Sequence, residues 1–250
     1  MRTLRVIGIG AGDPEHITIQ GIRALNETDV FFVIEKGAQD LVALRREITA
    51  RYVEPGRPHR IVEIPDPRRD RTAQAYTEAV EEWRARRADL WAAALMTELA
   101  EGESGAFLVW GDPSLYDSTI AVVEDIVARG GVELRYEVIP GISAIHALTA
   151  RHRVPLNRVG GAVQITTGRR LAEGFPAEAD DVVVMLDAHC SFKRVVDEDL
   201  DIYWGAYLGT PDEILVSGPL REVAEEIELQ RAEARKQKGW IMDTYLLRRR

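Results

Sequence analysis

Short apolar runs rich in β-branched residues alternate with longer amphipathic stretches through the first half of this chain. That alternation constrains the fold more than any other feature. Residues 4–9, 30–34, 60–64, 106–109 and 134–139 read as strands. Between them, 18–25, 41–52, 71–100 and 120–129 read as helices. Thr18 is placed to cap the first, and Leu41, Leu44 and Ile48 fall at helical spacing in the second. Pro65 closes the third strand, and Gly130-Gly131 end the fourth helix. Parallel strands need a crossover, usually a helix, so the pattern predicts βαβ units and a mostly parallel sheet.

The second half is less regular. Strands are expected at 163–166, 182–186, 202–207, 214–216 and 241–246, with helices at 143–151, near 192–196 and at 220–237. More short strands per helix predict a mixed sheet. The expected fold class is therefore α/β, built as two lobes: a mostly parallel N-terminal sheet and a mixed C-terminal one. No low-complexity linker marks the join. It is placed after the second Gly-Asp-Pro loop, giving lobes at 1–117 and 118–250.

A chain of 250 residues can bury one large core or two modest ones. The net charge of −9 argues against nucleic acid and anionic membrane as partners, while leaving room for a local basic pocket. Cys190 is the only cysteine, so no intrachain disulfide can form, which fits a reducing compartment. The apolar run at 4–9 is too short for a secretory signal, and no stretch is long enough to span a bilayer. The expectation is a cytoplasmic protein.

Three loops carry the chemistry. Gly8-Ile9-Gly10-Ala11-Gly12-Asp13-Pro14 directly follows a strand. A dinucleotide fingerprint would need glycine at position 13, and Asp13 would repel a pyrophosphate. Trp110-Gly111-Asp112-Pro113-Ser114-Leu115-Tyr116 follows another strand. Gly111 allows close approach of a ligand to backbone, and Asp112 can accept hydrogen bonds from an amino or ammonium group. Pro140-Gly141-Ile142-Ser143 ends a third strand, with Ser143 where a helix begins. Ser143 offers either a simple cap or a polar lining for a ligand. In open α/β sheets ligands bind beyond the carboxyl ends of strands, where all three loops fall. Metal chemistry has little support. His16, His59, His146, His152 and His189 form no HExxH pair, and the cysteine has no partner. No phosphate loop and no GxSxG elbow is present.

In this order, GIGAGDP, GDPSLY and PGIS resemble the signature of the tetrapyrrole methylase family, and the resemblance extends along essentially the whole chain. It implies two α/β lobes with S-adenosylmethionine in a crevice between them, S-adenosylhomocysteine as product, no metal, and a homodimer. Carried across by position, the implied cofactor contacts are Asp13 and Pro14; Gly111, Asp112 and Leu115; Ser143 and Ala144; Leu186 and Ala206. Further segments are similar to a corrinoid-methylating branch of the family that releases acetate. They include 109–119, 147–160, 166–171, 182–188, 208–220 and 239–250. The implied substrate is a precorrin.

A sulfonium methyl is already electrophilic, and an enamine-like ring carbon is nucleophilic without help. Methyl transfer then needs alignment and exclusion of water more than a base. Loss of an acetyl group differs, because water must attack its carbonyl; a base or oxyanion donor is useful there. The candidates are His16, Tyr116 and His146, each of which can also be read as a turn or packing residue. A precorrin carries several carboxylates, which Lys36, Arg45, Arg46, Arg151, Arg153, Arg169 and Arg170 could receive, or these could be solvated surface charges. Three other readings stay open: a different precorrin or cobalt-corrinoid as substrate, a nicotinamide-dependent oxidoreductase, and a non-catalytic tetrapyrrole carrier.

Overall fold

The computed structural model describes residues 1–35, 39–67 and 76–250. They form two compact units.

The first unit comprises 1–10 and 14–142. Its sheet contains β1 (Arg2–Gly8), β2 (Val30–Glu35), β3 (Arg60–Pro65), β4 (Ser104–Val109) and β5 (Leu134–Ile139). The spatial order is β3-β2-β4-β1-β5, and every pairing is parallel. The crossovers carry α1 (Ile19–Asn26), α2 (Gln39–Tyr52), α3 (Tyr76–Glu98) and α4 (Thr119–Arg129). Successive strand residues point to opposite faces, so sequence parity sorts the core. Ile7, Phe31, Ala106 and Leu108 meet Ala24 and Leu25 of α1 and Leu44 and Ile48 of α2. On the other face Val6, Phe32 and Phe107 meet Trp91 and Leu95 of α3 and Val122 and Ile126 of α4. All six residues of β4 are buried, as expected of a central parallel strand covered on both sides. Trp91 stacks on Phe107 with centroids 4.2 Å apart. Each such burial contributes about 1.5–3 kcal/mol.

Local signals set the ends. The Thr18 Oγ1 accepts from the Gly21 N–H at 2.9 Å and starts α1. Gly130, left-handed at φ 69°, ends α4. The expected helix at 71–100 is α3 from Tyr76; residues 71–75 lie outside the described residues.

The second unit comprises 11–13 and 143–250. Its strands are β6 (Val163–Thr167), β7 (Asp181–Met185), β8 (Leu200–Ala206), β9 (Ile214–Pro219) and β10 (Asp243–Arg249), in the order β6-β7-β10-β8-β9. Only β6 and β7 run parallel; the other pairs are antiparallel, giving the mixed sheet expected. Around it lie α5 (Ala144–His152), the short α6 (Gly168–Leu171), a 3-10 turn at Ser191–Val195 and α7 (Leu220–Lys238). Trp204, Tyr245, Phe192 and Ile227 are fully buried in its core.

The join differs from the sequence expectation. It falls at Ile142–Ser143 rather than at 117–118. The reason is pairing: β5 lies beside β1, with Arg2 opposite Leu134 and Ile7 opposite Ile139. The α4 residues Val122, Val123 and Ile126 fill the first core. Both elements follow residue 117 and belong to the first sheet.

Candidate functional site

In the first unit β1 lies between β4 and β5, so the chain leaves three adjacent parallel strands at one edge. The loops there touch through bare backbone. Gly10 and Gly111 form an antiparallel bridge: the Gly111 N–H donates to the Gly10 carbonyl at 2.7 Å, and the Gly10 N–H donates back at 3.3 Å. A Cβ on Gly8 would come within 2.6 Å of the Gly141 nitrogen, and one on Gly141 within 2.2 Å of the Gly111 oxygen. Both distances are below contact, so only glycine permits this convergence.

Asp112 binds the cluster together. Its Oδ2 accepts from the Gly141 N–H at 2.9 Å, and its Oδ1 accepts from the Ser114 N–H at 2.8 Å and from the Ser114 hydroxyl. The carboxylate expected to face a ligand's amino group therefore also ties the β4 loop to the β5 loop. Leu115, half-buried, donates its N–H to the Asp112 carbonyl at 3.2 Å. Tyr116 follows in the left-handed region, φ 52°, with 45% of its surface exposed. Partial burial pushes its phenol above the ordinary value, so it remains a hydrogen-bond donor at neutral pH. His16 ends the 3-10 turn that Pro14 begins and packs on Gly10, where a Cβ would meet its own Cβ at 2.3 Å. Its Nδ1 is buried without a hydrogen-bond partner among the described residues.

In the second unit Asp13 is half-buried, and neighbouring Gly12 lies so close to the Leu208 carbonyl that a Cβ would stand 2.3 Å away. Ser143 precedes α5 and is 4% exposed, but its hydroxyl makes no cap hydrogen bond. The Oγ lies instead 2.8 Å from Nδ1 of His146, whose side chain is exposed. Ala144 opens the helix, partly buried. Leu186 and Ala206 follow or end β7 and β8, which flank the start of β10: Met185 pairs with Thr244, and Ala206 with Asp243. Leu186 holds φ 54° while 66% exposed, a conformation that costs a leucine on the order of 1–2 kcal/mol.

The basic residues separate. Arg45 donates from Nε to the Leu108 carbonyl at 3.0 Å, and burial pulls its guanidinium below the ordinary value against the opposing charge of Asp117. Arg46, one residue on, is exposed. Arg151 pairs with Glu213 at 2.5 Å; the other Glu213 oxygen accepts from the Gly209 N–H, so Arg151 braces a loop. Arg153 is the left-handed C-cap of α5. Arg170 pairs with Glu173 at 3.2 Å on the surface beside exposed Arg169. Lys36 lies outside the described residues.

Sequence reading missed a buried polar network behind Leu186. Asp187 accepts from the Ser191 N–H at 2.6 Å, the Ser191 hydroxyl at 2.9 Å and the Tyr245 hydroxyl at 2.7 Å. Arg231 donates to the Asp187 carbonyl at 2.6 Å and to Asp243 at 2.9 Å, where the Trp204 indole also donates at 3.0 Å. Burial pushes the Asp243 carboxyl up, with Arg231 opposing, and pushes the Tyr245 phenol well up. The only local signal was the pair of polar residues at strand ends, Asp187 and Asp243.

Glycine loops converging at the carboxyl edge of a parallel sheet, followed by a mixed α/β unit, define a ligand-binding α/β protein. The helix after the first loop starts at Ile19, beyond a separate turn at Pro14–His16, so no helix N-terminus opens at the glycines as a dinucleotide would need. Residues 3–224 match the model of the tetrapyrrole (corrin/porphyrin) methylases, and the chain belongs to that family of S-adenosylmethionine-dependent methyltransferases. The nicotinamide alternative is thereby overturned. The chain is 53% identical to a precorrin-6A synthase [deacetylating] from a Sinorhizobium species, over all of this chain and 96% of that one. A solved cobalamin synthesis related protein from Corynebacterium diphtheriae is 39% identical, superposing with a TM-score of 0.86 over 99% of this chain and 98% of its own. A Thermus thermophilus uroporphyrin-III C-methyltransferase, solved with S-adenosylhomocysteine, shares the fold at TM-score 0.58 and 19% identity, over 98% of this chain and 91% of its own.

Proposed function

We propose that this chain converts precorrin-5 to precorrin-6A in oxygen-dependent cobalamin biosynthesis, methylating ring carbon 1 and releasing the acetyl group there as acetate. The observation that carries this reading is the 53% identity to the deacetylating synthase over the whole chain. S-adenosylmethionine, when bound, supplies an electrophilic methyl group. In the first unit the loop of Gly111, Asp112 and Leu115 is the proposed cofactor-binding element. In the second unit the corresponding elements are Asp13, the start of α5 at Ser143 and Ala144, and the strand ends at Leu186 and Ala206. The cluster of Gly8, Gly10, Gly111 and Gly141 suits that role, because it brings backbone N–H and carbonyl groups to a strand edge without side chains in the way.

The balance is one precorrin, one methyl donor and one water giving methylated product, S-adenosylhomocysteine, acetate and two protons. Water adds to the acetyl carbonyl, and the bond from that carbon to the ring breaks. Tyr116, held protonated, is suited to donate a hydrogen bond to the oxyanion that develops. His146, exposed and oriented through Nδ1 by Ser143, is the better placed proton acceptor. His16, packed on Gly10 and with a buried Nδ1, is better suited to holding the loop. We read the enzyme as a cytoplasmic homodimer needing no metal, nucleic acid or membrane; the net charge of −9 supports the exclusion of nucleic acid.

The test is incubation of the purified protein with precorrin-5 and methyl-labelled cofactor. Labelled product and acetate in equal amounts are expected. Methyl transfer to another precorrin without acetate would move the assignment to a different corrinoid step.

A further inference from the structure

We propose that a slot between α2 and the β2–β3 side of the first sheet receives one pyrrole ring of the tetrapyrrole, with its carboxylate arm held by Arg45 and Arg46. This rests on the functional reading above. The slot encloses about 430 Å³, within the ordinary range for small-molecule sites and suited to one substituted ring rather than a whole macrocycle.

A parallel sheet is normally covered by helices on both faces. Here Leu44 and Ile48 of α2 join the buried core, while edge strand β3 leaves Ile61 55% exposed. The walls are apolar, from Phe31, Val33, Ile61 and Leu108, which suits a flat heteroaromatic body. The polar groups are segregated. Arg45 and Arg46 lie on the helix side, and Glu63 on the β3 side. Arg45 is anchored through Nε to the Leu108 carbonyl, with Asp117 close enough to act on its charge. The Arg46 guanidinium has no hydrogen-bond or ion-pair partner among the described residues. A planar guanidinium beside a desolvated neighbour is a receptor for a carboxylate. Glu63 repels a second anion at the opposite wall, which fixes the direction in which an arm can enter. The basic pair stands out on a chain of net charge −9. Leu108 also lies in β4 just ahead of the Gly111 loop, so the slot adjoins the strand edge where the glycines converge.

The test uses the full-length protein with precorrin-5 as substrate and S-adenosylhomocysteine as a separate titrant. Arg46→Glu reverses the receptor charge, and Ile61→Trp fills the slot from an exposed position. Each is expected to raise KM for precorrin-5 about tenfold, Arg46→Glu through the loss of one good charged contact and Ile61→Trp by occupying the place of the ring, and to leave the Kd for S-adenosylhomocysteine within about twofold. Arg46→Lys should recover part of the loss. An unchanged KM in both variants overturns the slot while the functional reading stands. A Kd that rises in step with KM also overturns it, because the variants would then act through the cofactor or the fold. Failure of the unaltered protein to turn over precorrin-5 overturns the functional reading, and the slot with it.

Discussion

Asp112 shows how one side chain does two jobs that sequence cannot separate. The Gly-Asp-Pro motif marks it as a ligand residue, yet its oxygens accept from N–H groups of two loops, one of them at Gly141. Asp112→Ala would leave those donors without their partner, costing about 1–3 kcal/mol of stability. It is also expected to weaken S-adenosylhomocysteine binding at least tenfold by calorimetry; unchanged affinity would count against the loop as a cofactor element. Gly141→Ala is more severe, because its methyl would sit 2.2 Å from a backbone carbonyl that cannot rotate away. A loss of about 3 kcal/mol or more is expected in denaturant unfolding. The glycines were legible as a strand-following motif, but which pairs touch was not. That depends on β1, β4 and β5 being neighbours.

Elements were the most legible level. The strands and helices expected from periodicity recur with shifts of a few residues, since that period is a local property of each segment. What periodicity cannot show is how elements are fastened. The start of β3 is held by Arg60, whose two terminal nitrogens donate to the two oxygens of Glu103, each at 2.9 Å. The Arg60 hydrogen bond and the Ala100 N–H lower the Glu103 pKa to about 2. A carboxyl depressed on folding stabilises the native state above its unfolded value of 4.5, and that contribution is lost as pH falls towards 2. Glu103→Gln should therefore be less stable than the native chain at neutral pH, by an amount reduced by solvent screening. The two unfolding curves should converge on acidification below pH 4.5. Curves that stay parallel through that range would show that the bidentate pair does not hold β3.

For the whole molecule, the functional reading carries an expectation about assembly. Light scattering at micromolar concentration should give twice the chain mass; a monomer that still turns over precorrin-5 would remove the homodimer from the reading. The division into units was legible in kind but not in place. A parallel first sheet and a mixed second one follow from the density of strands and helices along the chain. The join falls later than the loop pattern predicts, because α4 and β5 carry no local mark of the sheet they complete.

The sequence alone determined the periodicity of each segment, the parity of core and surface along each strand, the three glycine loops and the family they signal. All of these are written over a few consecutive residues. Only the tertiary structure decided that β5 lies against β1, that Asp112 reaches Gly141, that Ser143 turns to His146 instead of capping its helix, and that Arg46 faces an open slot. Each is a contact between residues whose proximity depends on how the chain packs, and packing is a property of the whole fold.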